Sequence, residues 1–181
     1  MASYSAIARR IRVPLGFAFA AVYIWLARPT WTSIVFGACV ACLGILVRAL
    51  ASGHVSKNEQ LTMSGPYSYL RNPLYFGSIV IAAGFTVASR SWWIALGAVL
   101  LFVVIYIPVI RSEEAFLRSR FPEFEEYSRN VPRLIPRLSR FGGRHGAFSW
   151  DLYQKHREYN AIIGTSLMLL ILVAKLLWWS K

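Results

Sequence analysis

Acidic side chains are scarce in this sequence: eight Asp and Glu stand against 20 Lys and Arg over 181 residues, a net charge of +12. Cysteine is scarcer still. Cys39 and Cys42 are the only two, set i, i+3 apart within one apolar run, so they read as small packing residues on one helix face. That placement argues against a disulfide scaffold or a thiolate metal site, and no metal is expected. Internal repeats and low-complexity tracts are absent as well. What the chain has in quantity is apolar surface: 56% of its residues are hydrophobic and the mean hydropathy is +0.47. So much hydrophobicity joined to so much positive charge describes a small integral membrane protein with cationic loops. The basic residues flank apolar runs rather than forming one stripe, which argues against a nucleic-acid partner.

Five apolar stretches follow one another. Arg9, Arg10 and Arg12 precede the first, residues 13–27, a run of signal-anchor type whose end, Ile24-Trp25-Leu26-Ala27, lacks the small-x-small pattern of a cleavage site. After the Arg28-Pro29-Thr30 turn comes a second span at 31–51, with Arg48 near its end, where it can snorkel to the headgroups. A polar segment at 52–72 leads to Asn72-Pro73, an amide suited to an N-cap and a proline suited to a first helical turn. The helix it starts reaches about residue 88, and at ~1.5 Å per residue is roughly 24 Å long, short of a ~30 Å hydrocarbon core. Ser89-Arg90-Ser91 turns it into a full-length span at 92–110, with a kink expected at Pro108. Residues 112–121 read as a short amphipathic helix at the membrane surface, 129–146 as a cationic irregular stretch, and 161–179 as a last span ending in the interfacial pair Trp178-Trp179.

The expected fold is thus all-α and integral to the membrane, with about five transmembrane helices including a helical hairpin. Three parts are expected: two N-terminal helices at 1–51, a functional core at 52–136, and a basic linker with a C-terminal helix at 137–181. The five spans gather Arg9, Arg10, Arg12, Lys57, Arg71 and the basic 111–157 segment on one side, which the positive-inside rule makes cytoplasmic, together with the N-terminus.

One loop is out of character with its apolar neighbours. Gly65-Pro-Tyr-Ser-Tyr-Leu-Arg-Asn-Pro-Leu-Tyr-Phe-Gly77 is polar, aromatic and twice interrupted by proline. Lipid cannot satisfy its backbone groups, so it must lie at an aqueous edge or line a cavity. The hairpin brings its Tyr67, Arg71, Asn72 and Tyr75 to the same face as Glu113 and Glu114. Carboxylates at a membrane edge need a partner or water, and Arg71 is a natural partner. The residues by themselves leave two readings open, a structural Arg–Glu clamp with interfacial tyrosines, or a functional site.

The loop closely resembles the G-P-Y-x-x-x-R-H/N-P-x-Y-x-G motif of the isoprenylcysteine carboxyl methyltransferase and phospholipid methyltransferase superfamily. Glu113-Glu114, followed by Phe121, Tyr127 and Val131-Pro-Arg-Leu-Ile-Pro136, resembles that superfamily's second block, and together the two cover about residues 50–136. The resemblance implies a membrane methyltransferase using S-adenosylmethionine in a cytosol-facing pocket and acting on a lipid or lipidated substrate. No G-x-G-x-x-G loop is present to indicate a soluble Rossmann-like methyltransferase instead. Carried over position by position, the cofactor contacts would come from Glu59, Gln60, Leu61, Thr62, Tyr67, Asn72, Pro73, Leu74, Tyr75 and Glu113, with Arg71, Glu113 and Glu114 as the catalytic set.

Three positions depart from the pattern. Asn72 stands where many members carry histidine. Val109 occupies the place, four residues before the first glutamate, where prenylcysteine methyltransferases carry a substrate-binding arginine; Arg111 is close by at another angle. The last apolar span extends past the usual end of the catalytic core. The methyl acceptor therefore stays open among carboxylate, amine and hydroxyl. Two further readings compete with the first: a sterol- or steroid-type reductase with a nicotinamide cofactor, and a non-enzymatic membrane protein whose basic 129–157 segment binds anionic headgroups.

Overall fold

The computed structural model describes residues 2–55, 60–142 and 146–179, with side chains for Ile11 and from Pro14 onward. Lys57, Glu59, His145 and the side chains of Arg9, Arg10 and Arg12 lie outside the described residues. Those described form seven helices and no strand: α1 (Ala2–Leu26), α2 (Trp31–Ser52), α3 (Pro73–Ser89), α4 (Trp92–Arg120), α5 (Phe124–Asn130), α6 (Trp150–Lys155) and α7 (Tyr159–Trp179). Three of them, α2, α4 and α7, are long and apolar enough to cross a bilayer; Pro14–Leu26 and Pro73–Ser89 are shorter apolar helices.

The tightest packing in the molecule joins α2 to α3, a pair the hairpin pattern did not single out. Gly37 faces Gly84 and Ala88, while Gly44 faces Gly77 and Ile81, so the two helices run antiparallel. Their backbones approach so closely that a Cβ built on Gly84 would lie 2.5 Å from the Gly37 carbonyl oxygen. Lipid tails are as apolar as leucine, so helices in a membrane associate through close packing of small residues such as these. Cys39 and Cys42, expected to pack, lie on the exposed side of α2 instead. The helix turns its glycine and alanine stripe inward because only those residues allow such contact.

Where α3 meets α4, Arg90 takes a left-handed conformation (φ 53°) and reverses the chain within two residues. A core of Tyr23, Ala27, Ile34, Ala88, Ile94 and Leu172 gathers α1, α2, α3, α4 and α7 at this end. Six of the seven tryptophans, Trp25, Trp31, Trp92, Trp93, Trp178 and Trp179, are exposed around the same end, an aromatic belt suited to a membrane interface.

Pro108 has no amide hydrogen to give to Val104, and the helix accommodates it with one wide π turn at Phe102–Tyr106. One local expectation needs correction. Residues 112–121 are not a separate surface helix; α4 runs on unbroken to Arg120, because nothing after Pro108 interrupts it until Phe121, which adopts an extended conformation before Pro122.

The packing predicts an asymmetry. Gly84→Val is expected to cost at least about 1–3 kcal/mol by overpacking the α2–α3 contact. Gly164→Ala, where a Cβ meets nothing within 4 Å, is expected to be close to neutral or slightly stabilising. Unfolding in detergent, followed by circular dichroism, compares the two.

Candidate functional site

The motif loop is short of regular structure, so its shape comes from its neighbours. Gly65 has φ +56°, and a Cβ there would strike the His54 ring at 2.4 Å, so glycine is required on both counts. Gly65–Ser68 forms one 3-10 turn, closed by the Ser68 hydroxyl donating to the Gly65 carbonyl at 2.7 Å. The irregular stretch after α5 is strapped along the loop. Arg71 N–H donates to the Pro132 carbonyl (2.9 Å), Arg137 N–H to Tyr69 (3.0 Å) and Phe141 N–H to Ser68 (3.0 Å). Beneath the strap, Leu61, Phe124, Tyr127 and Val131 form a second apolar core. The Tyr127 hydroxyl donates to the Tyr67 carbonyl at 2.7 Å. Burial pushes the Tyr67 and Tyr127 hydroxyls far above the ordinary tyrosine range, so both remain neutral.

Glu114 is the meeting point of three chain segments. Arg133 donates to its Oε2 through Nη2 (2.7 Å) and Nε (2.9 Å), and Arg71 approaches Oε1 at 3.5 Å. The Asn72 amide donates to Oε1 at 2.9 Å and to the Arg133 carbonyl at 3.2 Å. Asn72 does stand at the N-cap position of α3, but its side chain makes no capping bond. The amide is turned so that its Nδ2 donates to the charged carboxylate, and its Oδ1 is not given to the first-turn N–H groups. Two arginines on one carboxylate leave a positive charge to spare. Burial pulls the Arg71 pKa below its ordinary value against the pull of Glu114, whereas the hydrogen bond to Glu114 raises that of Arg133. The Nε of Arg71 is buried with no hydrogen-bond partner among the described residues.

Glu113, one residue earlier, faces elsewhere. Its Oε1 accepts from the Tyr75 hydroxyl at 3.0 Å, and the Tyr75 ring meets Tyr106 edge to face with centroids 5.9 Å apart. Tyr106 is set there by the π turn and stacks on Phe102. Between these residues lies a cavity of about 980 Å³, at the large end of the range for small-molecule sites. Of the residues expected at a site, Gln60, Leu61, Thr62, Tyr67, Arg71, Asn72, Leu74, Tyr75, Glu113 and Glu114 all line it. Pro73 is buried at the first turn of α3 and is not on the wall, and Glu59 is outside the described residues.

Other wall residues were not anticipated. Arg48, expected to snorkel outward, turns inward and holds Glu158 through Nε (3.0 Å) and Nη2 (2.8 Å), while its Nη1 donates to Ser78 (2.6 Å) and to the Leu74 carbonyl (3.1 Å). A charge within an apolar helix, and a lone glutamate just before an apolar span, were the signals available for this pair. Tyr106, Ser112, Phe116 and Tyr127 also line the wall. Arg111 is exposed and absent from the wall, and Val109 is fully buried, so neither supplies the arginine missing from the second motif block.

Most of this polar chamber at the end of an apolar bundle falls within the segment, residues 15–123, that matches the family model for phospholipid methyltransferases. The chain belongs to the phospholipid methyltransferase family. It is a multi-pass membrane protein of that family by its apolar helices. It is also 39% identical over 137 residues to a cobalt-zinc-cadmium resistance protein of Cupriavidus metallidurans, a match spanning 75% of this chain and 61% of that protein. A nickel-cobalt-cadmium resistance protein of Alcaligenes xylosoxydans xylosoxydans is 38% identical over 118 residues, 65% of this chain and 54% of that protein. The chain thus spans between about half and three fifths of the length of these relatives. No solved structure matches it. Among the described residues no three His, Cys, Asp or Glu side chains are grouped to hold a metal ion. The family match ends before Tyr127, Arg133 and Glu158, three residues that the chamber or its clamp uses.

The clamp predicts a graded loss of stability. Glu114 is 9% exposed and Arg133 42%, so removing the acid strands buried positive charge while removing Arg133 does not. Glu114→Ala is expected to cost about 3 kcal/mol, and Arg133→Gln no more than about 1 kcal/mol. Thermal unfolding of the purified variants in one detergent measures both.

Proposed function

We propose that this protein is an S-adenosylmethionine-dependent methyltransferase whose acceptor is lipidic, with its site on the cytoplasmic face. The observation that carries the reading is the convergence of the two motif blocks on one chamber, where Glu113 and Arg71 stand as opposite charges beside a cluster of tyrosines. When bound, S-adenosylmethionine supplies an electrophilic methyl group on a cationic sulfonium. Its recognition elements suit the wall. Glu113 takes the ammonium group, the surplus positive charge of Arg71 favours the carboxylate, and the faces of Tyr75 and Tyr106 favour the sulfonium. Methyl transfer is an in-line displacement, so holding donor and acceptor in line and excluding water does most of the work. The rigid strap over the motif loop serves that positioning.

If the three long and two shorter apolar helices make five membrane passes, the cationic loops gather on the side of the amino terminus and motif loop, which the positive-inside rule makes cytoplasmic. The relatives' names suggest a setting, exposure to transition-metal ions, in which to look for the methylated lipid.

Calorimetry on the purified protein tests the reading. S-adenosylmethionine is expected to bind, and Glu113→Ala or Tyr75→Ala to weaken binding by about tenfold or more, the loss of one charge-assisted contact. A folded protein that does not bind S-adenosylmethionine would sink it, and preference for a nicotinamide cofactor would point to the reductase reading.

A further inference from the structure

A second cavity of about 350 Å³ lies between α1, α3 and α7. Phe19, Ile81 and Met168 are among its walls, and two glycines, Gly16 on α1 and Gly164 on α7, stand on its rim. Both glycines are exposed, and a Cβ on either would meet nothing within 4 Å. The helix faces beside this opening carry exposed Phe17, Ile163 and Leu167, which in a membrane are covered by hydrocarbon. At the inner end the apolar lining gives way to Arg48, Ser78 and Asn160. Arg48 and Ser78 line the polar chamber as well, so the groove and the site share one boundary.

Arg48 makes two sets of contacts at that boundary. Its Nη1 donates to Ser78 and the Leu74 carbonyl, bonds that do not involve Glu158. The side-chain hydrogen bonds of Glu158, among the described residues, all go to Arg48. Displacing Glu158 therefore leaves an anchored guanidinium facing the end of an apolar groove. We propose that the groove seats the hydrocarbon chain of a single amphiphile, and that Arg48 takes the anionic group of its head in place of Glu158. Arg48 is a positioning residue here: it anchors an oxyanion of the head, carboxylate or phosphate, and does not touch the transferred methyl. That this amphiphile is the methyl acceptor rests on the methyltransferase reading; the groove and its charged end do not.

The test uses the full chain in nanodiscs of zwitterionic lipid, with three photoactivatable probes of one chain length: a fatty acid, an alkyl phosphate and an alkyl amine. Crosslinks are mapped by mass spectrometry, and S-adenosylmethionine affinity is measured on the same samples. The acid, the phosphate or both are expected to label α1 and α7 around the groove at least about tenfold more than the amine, and the stronger anion names the head. Gly164→Leu fills the opening and is expected to lower this labelling about tenfold while leaving S-adenosylmethionine affinity unchanged. Glu158→Gln removes the competing carboxylate and is expected to raise labelling by the anions but not by the amine. Labelling spread over the lipid-facing surface and indifferent to Gly164→Leu overturns the proposal, as does equal labelling by anions and amine in the unmodified protein. Should Glu158→Gln fail to fold, those two comparisons still decide it. Labelling as expected without S-adenosylmethionine binding leaves the groove standing and removes the methyltransferase reading.

Discussion

The convergence of Arg71, Arg133 and Asn72 on the Glu114 carboxylate is the contact on which the functional end of this molecule depends. It ties the start of α3, the end of α4 and the strap after α5 to one point at the edge of the apolar bundle. Such an arrangement is costly to assemble, because each charge must leave water, and it holds only because the carboxylate is satisfied from several sides. Its geometric effect is to send the neighbouring Glu113 toward Tyr75 and the open chamber. One glutamate builds the wall while the other faces the cavity, and their adjacency in sequence conceals that division of labour.

A second polar contact joins Arg48 to Glu158. Helix α2 can carry an arginine toward its end because α3 lies close enough, through the glycine contacts, to offer Ser78 and a carbonyl as acceptors. The same close packing that excludes lipid thus prepares a site for a charge. Glu158 arrives from the chain just before α7, beyond the part of the chain that matches the family, so the segment leading into the C-terminal helix contributes to the chamber. An apolar groove and a polar chamber share Arg48, which is where a molecule with a hydrocarbon tail and a charged head would be expected to lie.

Much of this was legible in order along the chain. Apolar runs gave the helices, since 20 or so apolar residues have few alternatives to a helix in a bilayer. Asn72-Pro73 marked the start of α3, and the two motif blocks drew attention to Tyr67, Tyr75 and Glu113 before their positions were known. The differences share a cause. Local sequence points to Asn72 as a cap, Arg48 as a snorkel, Cys39 and Cys42 as packing, and residues 112–121 as a surface helix. In each case a neighbour distant in sequence, or the absence of a breaker, governed the outcome.

The class of protein, the approximate placement of its apolar helices and the polar loop that interrupts them follow from composition and periodicity, which act residue by residue. Which helix packs against α3, which glutamate is clamped, and the meeting of Arg48 and Glu158 on the chamber wall emerge only in the folded chain. These depend on the approach of backbones and the pairing of charges across gaps of 110 residues, and no local pattern records them.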